Sequence, residues 1–276
     1  MVILDGKALA EMIITGLKSE FSRLTKRLSL AAVVVGREPV ILKFIEHKKK
    51  IAEELGADFR VYEYPVEIST NELRKRIAQI VHDADPAGII IQLPLPAHIN
   101  QQYILNSVPP EKDVDVLSAR AVGDFAVGKA NVLPPVVGAI RSLFQEYGID
   151  YTSKHIVVIG AGTLVGKPVA AWLASEKVSF TIVDEHTPDI SKFTKNADLI
   201  ITGVGKPGLV TGDMVQESAV VIDAGTSESA GKLAGDVDFE SVSKKAAYIT
   251  PVPGGVGPLT IAMIYRNLLT LTQTKH

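Results

Sequence analysis

The first half of the chain alternates between two patterns of hydrophobic and polar positions. Short apolar runs rich in β-branched residues predict strands, and stretches with apolar positions three and four residues apart predict helices. In chain order these elements are a helix near residues 7–26, a strand at 31–35, a helix at 40–55, a strand at 59–64, a helix at 71–82 and a strand at 87–91. Strands that alternate with helices favour a parallel sheet with helices on its faces.

The second half repeats this alternation after an interruption. Residues 98–135 are irregular and rich in proline and valine, and a predicted helix at 136–147 follows them. Further strands are predicted at 156–159, 180–183, 199–202, 220–223 and 248–250, with a last apolar helix at 259–271. The interruption predicts a boundary between two α/β domains.

A glycine-rich turn follows the apolar strand at 156–159. The sequence Gly160-Ala161-Gly162-Thr163-Leu164-Val165-Gly166 leads directly into a predicted helix that includes residues 170–174. Gly160 and Gly162 would let the backbone turn tightly and approach a pyrophosphate, which the helix N-terminus would stabilise. A strand, a glycine turn and a helix in this order predict a dinucleotide site.

Asp184 supports the same prediction, because it ends the next strand and lies 18 residues after Gly166. A carboxylate at this place accepts hydrogen bonds from the ribose 2′-hydroxyl of NAD and repels the 2′-phosphate of NADP. The alternative is that Asp184 and Glu185 only form the polar end of a strand.

Composition narrows the class of protein. The chain has 276 residues, 46% of them hydrophobic, which is enough for two medium domains with buried cores. A net charge of −2 offers no electrostatic attraction to nucleic acid or to an anionic membrane, so we expect neither partner. Without cysteine there are no disulfides, no thiol catalysis and no thiolate metal site, and we predict no metal centre.

Targeting signals are also not evident. Asp5 and Lys7 place charges where a signal peptide would be apolar, and no apolar run approaches the ~18 residues that suggest a membrane span. We therefore expect a cytoplasmic protein that does not associate with membranes.

Three further segments concentrate unusual residues where predicted strands end, which is where open α/β sheets bind ligands. They are Gln92-Leu93-Pro94-Leu95-Pro96, Lys112-Asp113-Val114-Asp115 and the loop Thr250-Pro251-Val252-Pro253-Gly254-Gly255-Val256-Gly257-Pro258. The two prolines after Gln92 predict a rigid, extended exit from the strand. The proline and glycine density of the last loop suggests that its backbone lies against a ligand.

Together with other motifs in fixed order, these segments resemble the methylenetetrahydrofolate dehydrogenase/cyclohydrolase family, of which this chain would be a divergent member. The other motifs are Ile3-Leu4-Asp5-Gly6-Lys7, Val165-Gly166-Lys167-Pro168, Gly203-Val204-Gly205-Lys206-Pro207-Gly208 and Gly235-Asp236-Val237-Asp238-Phe239. The resemblance spans nearly the whole chain. It implies an α/β fold with a folate-side catalytic domain (residues 1–136 plus 258–276) and a Rossmann-like NAD(P)-binding domain (137–257), assembled as a homodimer.

The resemblance also assigns roles to residues. Lys48 would act on the one-carbon bridge of the folate, with Gln92 hydrogen-bonded to it, and Asp115 would hold the pterin ring. Substrate-binding positions would be Phe44, Pro253, Gly254, Gly255 and Pro258. Cofactor-binding positions would be Gly160, Gly162, Thr163, Val165, Gly166, Asp184, Gly203, Gly205 and Thr226. The alternative for Lys48 is a solvated helix lysine, because Lys49 and Lys50 adjoin it.

On the folate side the chain departs from the family pattern. Phe44 replaces the tyrosine four residues before the lysine, so a hydroxyl is lost, and Ile41 replaces a serine. Val116 stands where the family has glycine, and Leu133-Pro134-Pro135-Val136 replaces a Pro-Cys-Thr-Pro motif. The hydroxyl lost at Phe44 puts cyclohydrolase activity in more doubt than hydride transfer, and the other changes predict a pocket of altered shape.

On the nucleotide side Ala161 replaces the arginine expected to pair with a 2′-phosphate, and Asp184-Glu185 replaces His-Ser. Loss of a cation and gain of two anions both disfavour NADP. Hydrogen bonds to charged groups contribute about 1.5–3 kcal/mol each, so we predict NAD over NADP by at least an order of magnitude.

The resulting hypothesis is an NAD-preferring dehydrogenase for 5,10-methylenetetrahydrofolate that also has possible cyclohydrolase activity. Two alternatives stay open. The first is a diverged paralogue that oxidises another pterin or small substrate. The second is a non-catalytic ligand-binding scaffold, since fold alone does not establish function.

Overall fold

The computed structural model describes residues 1–229 and 232–274. In this part of the chain the strands are β1 (Val2–Ile3), β2 (Ser29–Val35), β3 (Asp58–Tyr64), β4 (Gly88–Ile91), β5 (Ile156–Ile159), β6 (Phe180–Val183), β7 (Leu199–Thr202), β8 (Val220–Asp223), β9 (Ser227–Ser229), β10 (Lys232–Ala234) and β11 (Tyr248–Ile249). The helices are α1 (Gly6–Ser22), α2 (Pro39–Leu55), α3 (Thr70–Gln79), α4 (Gln101–Leu105), α5 (Ala119–Ala126), α6 (Pro135–Glu146), α7 (Gly166–Ser175), α8 (Ser191–Thr194), α9 (Phe239–Val242) and α10 (Val256–Gln273). The chain forms two compact units.

The first unit comprises Met12–Pro134 and Ile261–His276, and we call it the catalytic unit. Its sheet has the order β3-β2-β4, with every strand parallel to its neighbour. The central strand β2 is buried along almost its whole length, because helices cover a parallel sheet on both faces. A parallel bridge between Ile89 and Asp113 continues the sheet beyond β4 and brings the segment around Asp115 alongside that strand.

The second unit comprises Met1–Glu11 and Pro135–Thr260, and we call it the Rossmann unit. Its six strands are all parallel and have the order β1-β11-β8-β7-β5-β6. The strands β5, β7 and β8 are buried throughout, as their continuous apolar sequences predict. The chain order reverses at β5, since β6 lies on one side of it and β7 on the other. Such a switch point is where open α/β sheets bind ligands.

The prediction of an α/β fold with two domains and parallel sheets is confirmed. The N-terminal segment differs from the sequence-based division, which placed residues 1–136 together. Met1–Glu11 groups with the Rossmann unit because β1 pairs with β11, Val2 opposite Tyr248. A strand of two residues has too short a pattern to be recognised in a sequence.

Some element ends also differ. The predicted helix at 7–26 ends at Ser22, and the predicted helix at 71–82 becomes α3 followed by a π-helical turn, Ile80–Ala84. The stretch predicted to be irregular contains the short helices α4 and α5, each capped by a side chain, Asn100 and Ser118 respectively. No helix in residues 1–229 or 232–274 is long and apolar enough to cross a membrane.

Candidate functional site

Lys48 lies on the core-facing side of helix α2. Pro39 begins this helix, and Gly56, with a φ of 72°, ends it. The core-facing residues Ile41, Ile45, Ala52 and Leu55 are at most 5% exposed, and Lys48 falls between them in the same helical stripe. Its side chain is partly buried, whereas those of the adjoining lysines are exposed. The location therefore differs from that of a solvated surface lysine.

Gln92 is the hydrogen-bond partner of Lys48. Lys48 Nζ donates to Gln92 Oε1 at 2.7 Å, and Gln92 Nε2 donates to the carbonyl of Leu93 at 2.7 Å. Gln92 directly follows β4, and its backbone N–H still bonds to the carbonyl of Val33 in β2. With both ends of its amide engaged and only 8% of the residue exposed, Gln92 holds the lysine in one orientation.

Asp115 interacts electrostatically with Lys48. Burial lowers the pKa of Lys48, and the negative charge of Asp115 raises it by a smaller amount. Burial also raises the pKa of Asp115 to about 6, an effect that Lys48 reduces and Asp113 increases. Two groups whose pKa values are moved towards neutrality are typical of sites that transfer protons. The structure thus brings Lys48, Gln92 and Asp115 together.

The loop that carries Asp115 is held from several sides. Asp113 Oδ2 accepts hydrogen bonds from the backbone N–H groups of Leu117 at 3.0 Å and Ser118 at 2.7 Å. Val116 lies in the chain between Asp113 and Leu117, is 2% exposed and has a φ of 57°. A β-branched residue in the left-handed region is strained, so the surrounding bonds must hold it there.

Two residues of α10 support this site and were not predicted from the sequence. Asn267 Nδ2 donates to the carbonyls of Val114 and Leu133, both at 2.8 Å, and Tyr265 Oη donates to the carbonyl of Lys48. Both residues are at most 5% exposed. The sequence signal for them is a pair of polar side chains within the apolar stripe of a helix. Because buried polar groups are nearly always hydrogen-bonded, such a pair indicates partners elsewhere in the fold.

The predicted substrate-binding residues belong to different units. Phe44 lies one turn before Lys48 on α2 and is partly buried. Pro253, Gly254, Gly255 and Pro258 belong to the Rossmann unit, after β11. There Gly254, with a φ of 107°, accepts a hydrogen bond from the N–H of Lys7 at 2.8 Å.

The glycine-rich turn lies at the carboxyl ends of β5 and β7. Gly160 has a φ of 99°, which favours glycine. A Cβ on Gly166 would lie 1.8 Å from the Gly160 carbonyl oxygen, and one on Gly203 would lie 2.3 Å from Val165 Cγ1. Only glycine at positions 166 and 203 allows the backbone to pack so closely. Within the turn from Gly160 to Gly166, Gly162 and Thr163 are exposed. The predicted cradle for a pyrophosphate is therefore compatible with this geometry.

Asp184 stands at the carboxyl end of β6, next to the glycine turn in the sheet order. Its Oδ1 accepts from the N–H of His186 at 3.0 Å, and its own N–H donates to Thr187 Oγ1 at 3.2 Å. Its Oδ2 forms no hydrogen bond with any other described residue. The carboxylate is thus oriented by its own turn, and one of its oxygens is left without a partner among the described residues.

The remaining cofactor positions follow β7 and β8. Gly205 has a φ of 76°. A Cβ placed on it would lie 3.8 Å from the carbonyl oxygen of Thr226, and Thr226 itself is exposed. The positions assigned to the cofactor therefore lie along one edge of one parallel sheet. The donors and glycines at this edge suit a dinucleotide.

Comparisons with known proteins agree along the full length. The profile described as the tetrahydrofolate dehydrogenase/cyclohydrolase catalytic domain matches residues 4–115, and the profile for the NAD(P)-binding domain of the same family matches residues 134–276. The bifunctional protein FolD of Sulfurihydrogenibium sp. (strain YO3AOP1) is 42% identical over 281 residues, covering 100% of this chain and 99% of that protein.

Solved structures show the same similarity. The bifunctional FolD methylenetetrahydrofolate dehydrogenase/cyclohydrolase of Campylobacter jejuni has a TM-score of 0.94 at 39% identity and covers 100% of both chains. The Trypanosoma brucei enzyme, solved with NADP cofactor and an inhibitor, has a TM-score of 0.93 at 33% identity, with 99% of this chain and 97% of that chain covered. The chain therefore belongs to the tetrahydrofolate dehydrogenase/cyclohydrolase family, as the resemblance of its motifs predicts.

Proposed function

We propose that this protein oxidises 5,10-methylenetetrahydrofolate to 5,10-methenyltetrahydrofolate with NAD in preference to NADP, and that it hydrolyses the product to 10-formyltetrahydrofolate at a reduced rate. Membership of the family and the full-length likeness to bifunctional FolD proteins support folate one-carbon chemistry. The observation that carries the assignment is the hydrogen bond between Lys48 and Gln92, with Asp115 beside them.

The oxidation needs positioning more than acid or base catalysis. A C–H bond of the bridging carbon breaks, and the hydride leaves with both electrons. The two flanking nitrogens share the positive charge that develops, and no proton is transferred. A bound nicotinamide supplies the acceptor for the electron pair. The tasks of the chain are to hold the pterin through Asp115, to present the bridge beside Lys48 and to exclude water.

The hydrolysis needs proton transfer. Water adds to the methenyl carbon as one of its protons passes to neutral Lys48. The bond from that carbon to N5 then breaks, N5 takes up the proton held by Lys48, and the added hydroxyl loses its own proton to water as it becomes the formyl carbonyl, so that one proton is released overall. A lysine whose pKa is lowered by burial has a larger neutral fraction near pH 7, and so serves better as the base. Phe44 provides no hydroxyl to assist Lys48, which is why we propose a reduced rate.

The proposed preference for NAD depends on Asp184, Glu185 and Ala161. Asp184 keeps one carboxylate oxygen for a ribose hydroxyl, and the exposed Glu185 adds a second negative charge beside it. Ala161 has no cation for a 2′-phosphate. Repulsion by two carboxylates and loss of a charge-assisted bond together favour NAD by at least about tenfold.

The assembly and location follow from the family resemblance. We propose a homodimer in the cytoplasm, with folate chemistry in residues 1–136 plus 258–276 and dinucleotide binding in 137–257. Light scattering checks the assembly, because a monomeric mass at micromolar concentration would contradict it.

The test is absorbance-monitored oxidation of 5,10-methylenetetrahydrofolate with NAD and NADP in parallel, followed by decay of the methenyl product. We expect turnover with a kcat/KM at least about tenfold higher for NAD. Equal or better kcat/KM with NADP would contradict the preference but not the reaction. Silence with both cofactors would overturn the reaction and favour a paralogue with another substrate or a non-catalytic scaffold.

A further inference from the structure

The Rossmann unit buries a carboxylate to which neither the motifs nor the proposed mechanism gives a role. Asp236 lies two residues after β10 and is 0% exposed. A buried carboxylate is costly unless hydrogen bonds compensate it. The groups that donate to it therefore indicate what it does.

Asp236 binds the turn that follows β7. Its Oδ2 accepts from the N–H of Val204 at 2.6 Å and from Thr202 Oγ1 at 2.8 Å, and its Oδ1 accepts from the N–H of Lys206 at 2.7 Å. Gly205, between the two donating backbone groups, has a φ of 76°. One side chain thus determines the shape of residues 204–206, because two of its three bonds go to their backbone.

This turn packs on the glycine-rich turn. A Cβ added to Gly160 would lie 3.0 Å from Val204 Cγ2, and one added to Gly203 would meet Val165 at 2.3 Å. The segment that Asp236 shapes therefore forms one wall of the edge proposed to hold the dinucleotide. A shift of a few tenths of an ångström in residues 204–206 would change the room left for a pyrophosphate.

We propose that Asp236 is a positioning residue for the dinucleotide: it holds residues 204–206 against the glycine turn without touching the ligand. This inference rests on the proposed function of the Rossmann unit. The role requires a carboxylate, because the two oxygens of Asp236 accept from the N–H groups of Val204 and Lys206 respectively. In asparagine one of these oxygens would be an NH2 group, which would face a backbone N–H as a second donor. Space also restricts the residue, since a Cβ on Gly225 would lie 2.3 Å from Asp236 Cγ.

If Asp236 had only a structural role, its substitution would lower stability without selectively weakening dinucleotide binding, so the test compares the affinities for dinucleotides and for tetrahydrofolate in each variant. We would measure the Kd for NAD, NADP and tetrahydrofolate by calorimetry, with thermal unfolding recorded on the same samples. For Asp236→Asn we expect the Kd of NAD and of NADP to rise by the same factor, about tenfold, because hydrogen bonds to a charged acceptor are lost. The Kd of tetrahydrofolate should stay within about twofold of the wild-type value, which is close to the resolution of such affinities.

Two variants provide controls. Thr202→Val removes the hydroxyl donor but leaves both backbone bonds to Asp236, so the turn should stay in place and NAD affinity should change less than about threefold. Asp198→Asn alters a carboxylate at the opposite end of the sheet, just before β7. Asp198 accepts from the N–H of His155 at 2.8 Å and from Gln216 Nε2 at 2.9 Å. That variant should lose stability without loss of NAD affinity.

Gly225→Ala reaches the same carboxylate by another route, because the added methyl group displaces it, and this variant serves if Asp236→Asn does not fold. Weakened NAD binding in folded Gly225→Ala or Asp236→Asn, with tetrahydrofolate binding retained, supports the inference. Asp236→Asn decides if it folds, and Gly225→Ala decides if it does not; unchanged NAD affinity in the deciding variant, or an equal loss of NAD and tetrahydrofolate affinity, overturns the inference. Failure of the wild-type protein to bind NAD or NADP would instead contradict the proposed function.

Discussion

Asp236 in the Rossmann unit and Asp115 in the catalytic unit are both carboxylates near the carboxyl end of a parallel sheet, but their surroundings differ. Asp236 accepts three hydrogen bonds, two of them from backbone N–H groups. Within the described residues the Asp115 carboxylate accepts none, and it faces the charge of Lys48 instead.

The difference separates a carboxylate that shapes the backbone from one that can do chemistry. A fully bonded carboxylate has its charge compensated by fixed donors and holds them in place. A desolvated carboxylate without such donors has a raised pKa and keeps its oxygens for a ligand. In the roles proposed for them, Asp236 would fix the backbone around it and Asp115 would bind a ligand.

The largest effect is expected from Lys48→Met, which removes the amine proposed to act as the base in hydrolysis. Loss of a general base lowers rates by about 10²–10⁴, so methenyl hydrolysis should fall by at least about 100-fold. Oxidation should fall by a smaller factor because it transfers no proton. Decay of methenyltetrahydrofolate absorbance measures the first rate.

The matched control is Lys49→Met. Lys49 adjoins Lys48 on α2 but is exposed, with Glu53 at 4.0 Å. Since exposed ion pairs contribute little, this variant should keep nearly wild-type activity. Equal losses in the two lysine variants would remove Lys48 from the reaction.

Asp184 differs from both Asp236 and Asp115, because it is proposed to accept a hydrogen bond from the ribose of the dinucleotide. Asp184→Ser removes a ribose acceptor and a repulsive charge, so the ratio of kcat/KM for NAD to that for NADP should fall by about tenfold. Asp189→Ser is the control, because Asp189 also accepts from a backbone N–H two residues ahead but lies farther along the loop. An unchanged ratio in Asp184→Ser would leave Asp184 as only the polar end of a strand.

The pairing of Asp115 with Lys48 predicts a shift in pH dependence. The charge of Asp115 raises the pKa of Lys48, so Asp115→Asn should lower that pKa and move the acid limb of the hydrolysis profile to lower pH. Asp124→Asn should not move it, because the partly exposed Asp124 of helix α5 lies near Arg120, at 4.0 Å, and has no electrostatic effect on Lys48. A shift to higher pH in Asp115→Asn would contradict the pairing.

Stability provides an independent check on the same residue. The pKa of Asp115 is about 6 in the folded protein against 3.8 ordinarily, so the folded state binds its proton more tightly. This contribution to stability is complete below pH 3.8 and is lost as the pH rises through about 6. Asp115→Asn lacks it, and so should gain stability relative to the wild-type protein across that interval in urea unfolding.

The smallest effect is expected at Val116, whose backbone is held in a strained conformation next to Asp115. Relief of a left-handed β-branched residue contributes about 1–2 kcal/mol, and loss of a buried valine costs about 1.5–3 kcal/mol. Val116→Gly should therefore destabilise the protein by less than about 2 kcal/mol. Val114→Gly, at a fully buried residue without a left-handed φ, should cost about 1 kcal/mol more than that.

Urea unfolding of both variants measures this difference. If Val116→Gly costs as much as Val114→Gly, then the backbone at Val116 stores no strain that glycine can relieve.

Much of the fold was predictable because its signals are local. The strands at 156–159, 180–183, 199–202 and 220–223 have the predicted bounds, since each is a short run rich in β-branched apolar residues. The strand β1 was not predicted, because two residues are too few to show a periodic pattern of apolar and polar positions. The turn after α3 was missed because its helical pattern continues past the change in hydrogen bonding.

The candidate site was only partly predictable. Lys48 and Gln92 were named from motifs, and their hydrogen bond joins residues 44 positions apart. Asn267 and Tyr265 were not named, because their partners lie 153 and 217 positions away in the chain. Asp236 was present in a motif but had no role until its donors were known. A sequence pattern identifies polar residues in apolar surroundings, but it does not identify their partners.

Residue types and their local spacing are sufficient to predict the alternation of strands and helices, the glycine turn and the acidic residues after β6, and to identify the family. These features depend on residue type and on spacing over a few positions, which govern backbone conformation directly. Which carboxylate has its hydrogen bonds satisfied, which lysine is desolvated and which valine is strained can be known only from the folded chain. Those properties depend on distances and burial between segments far apart in the chain, and they arise only when the chain has folded.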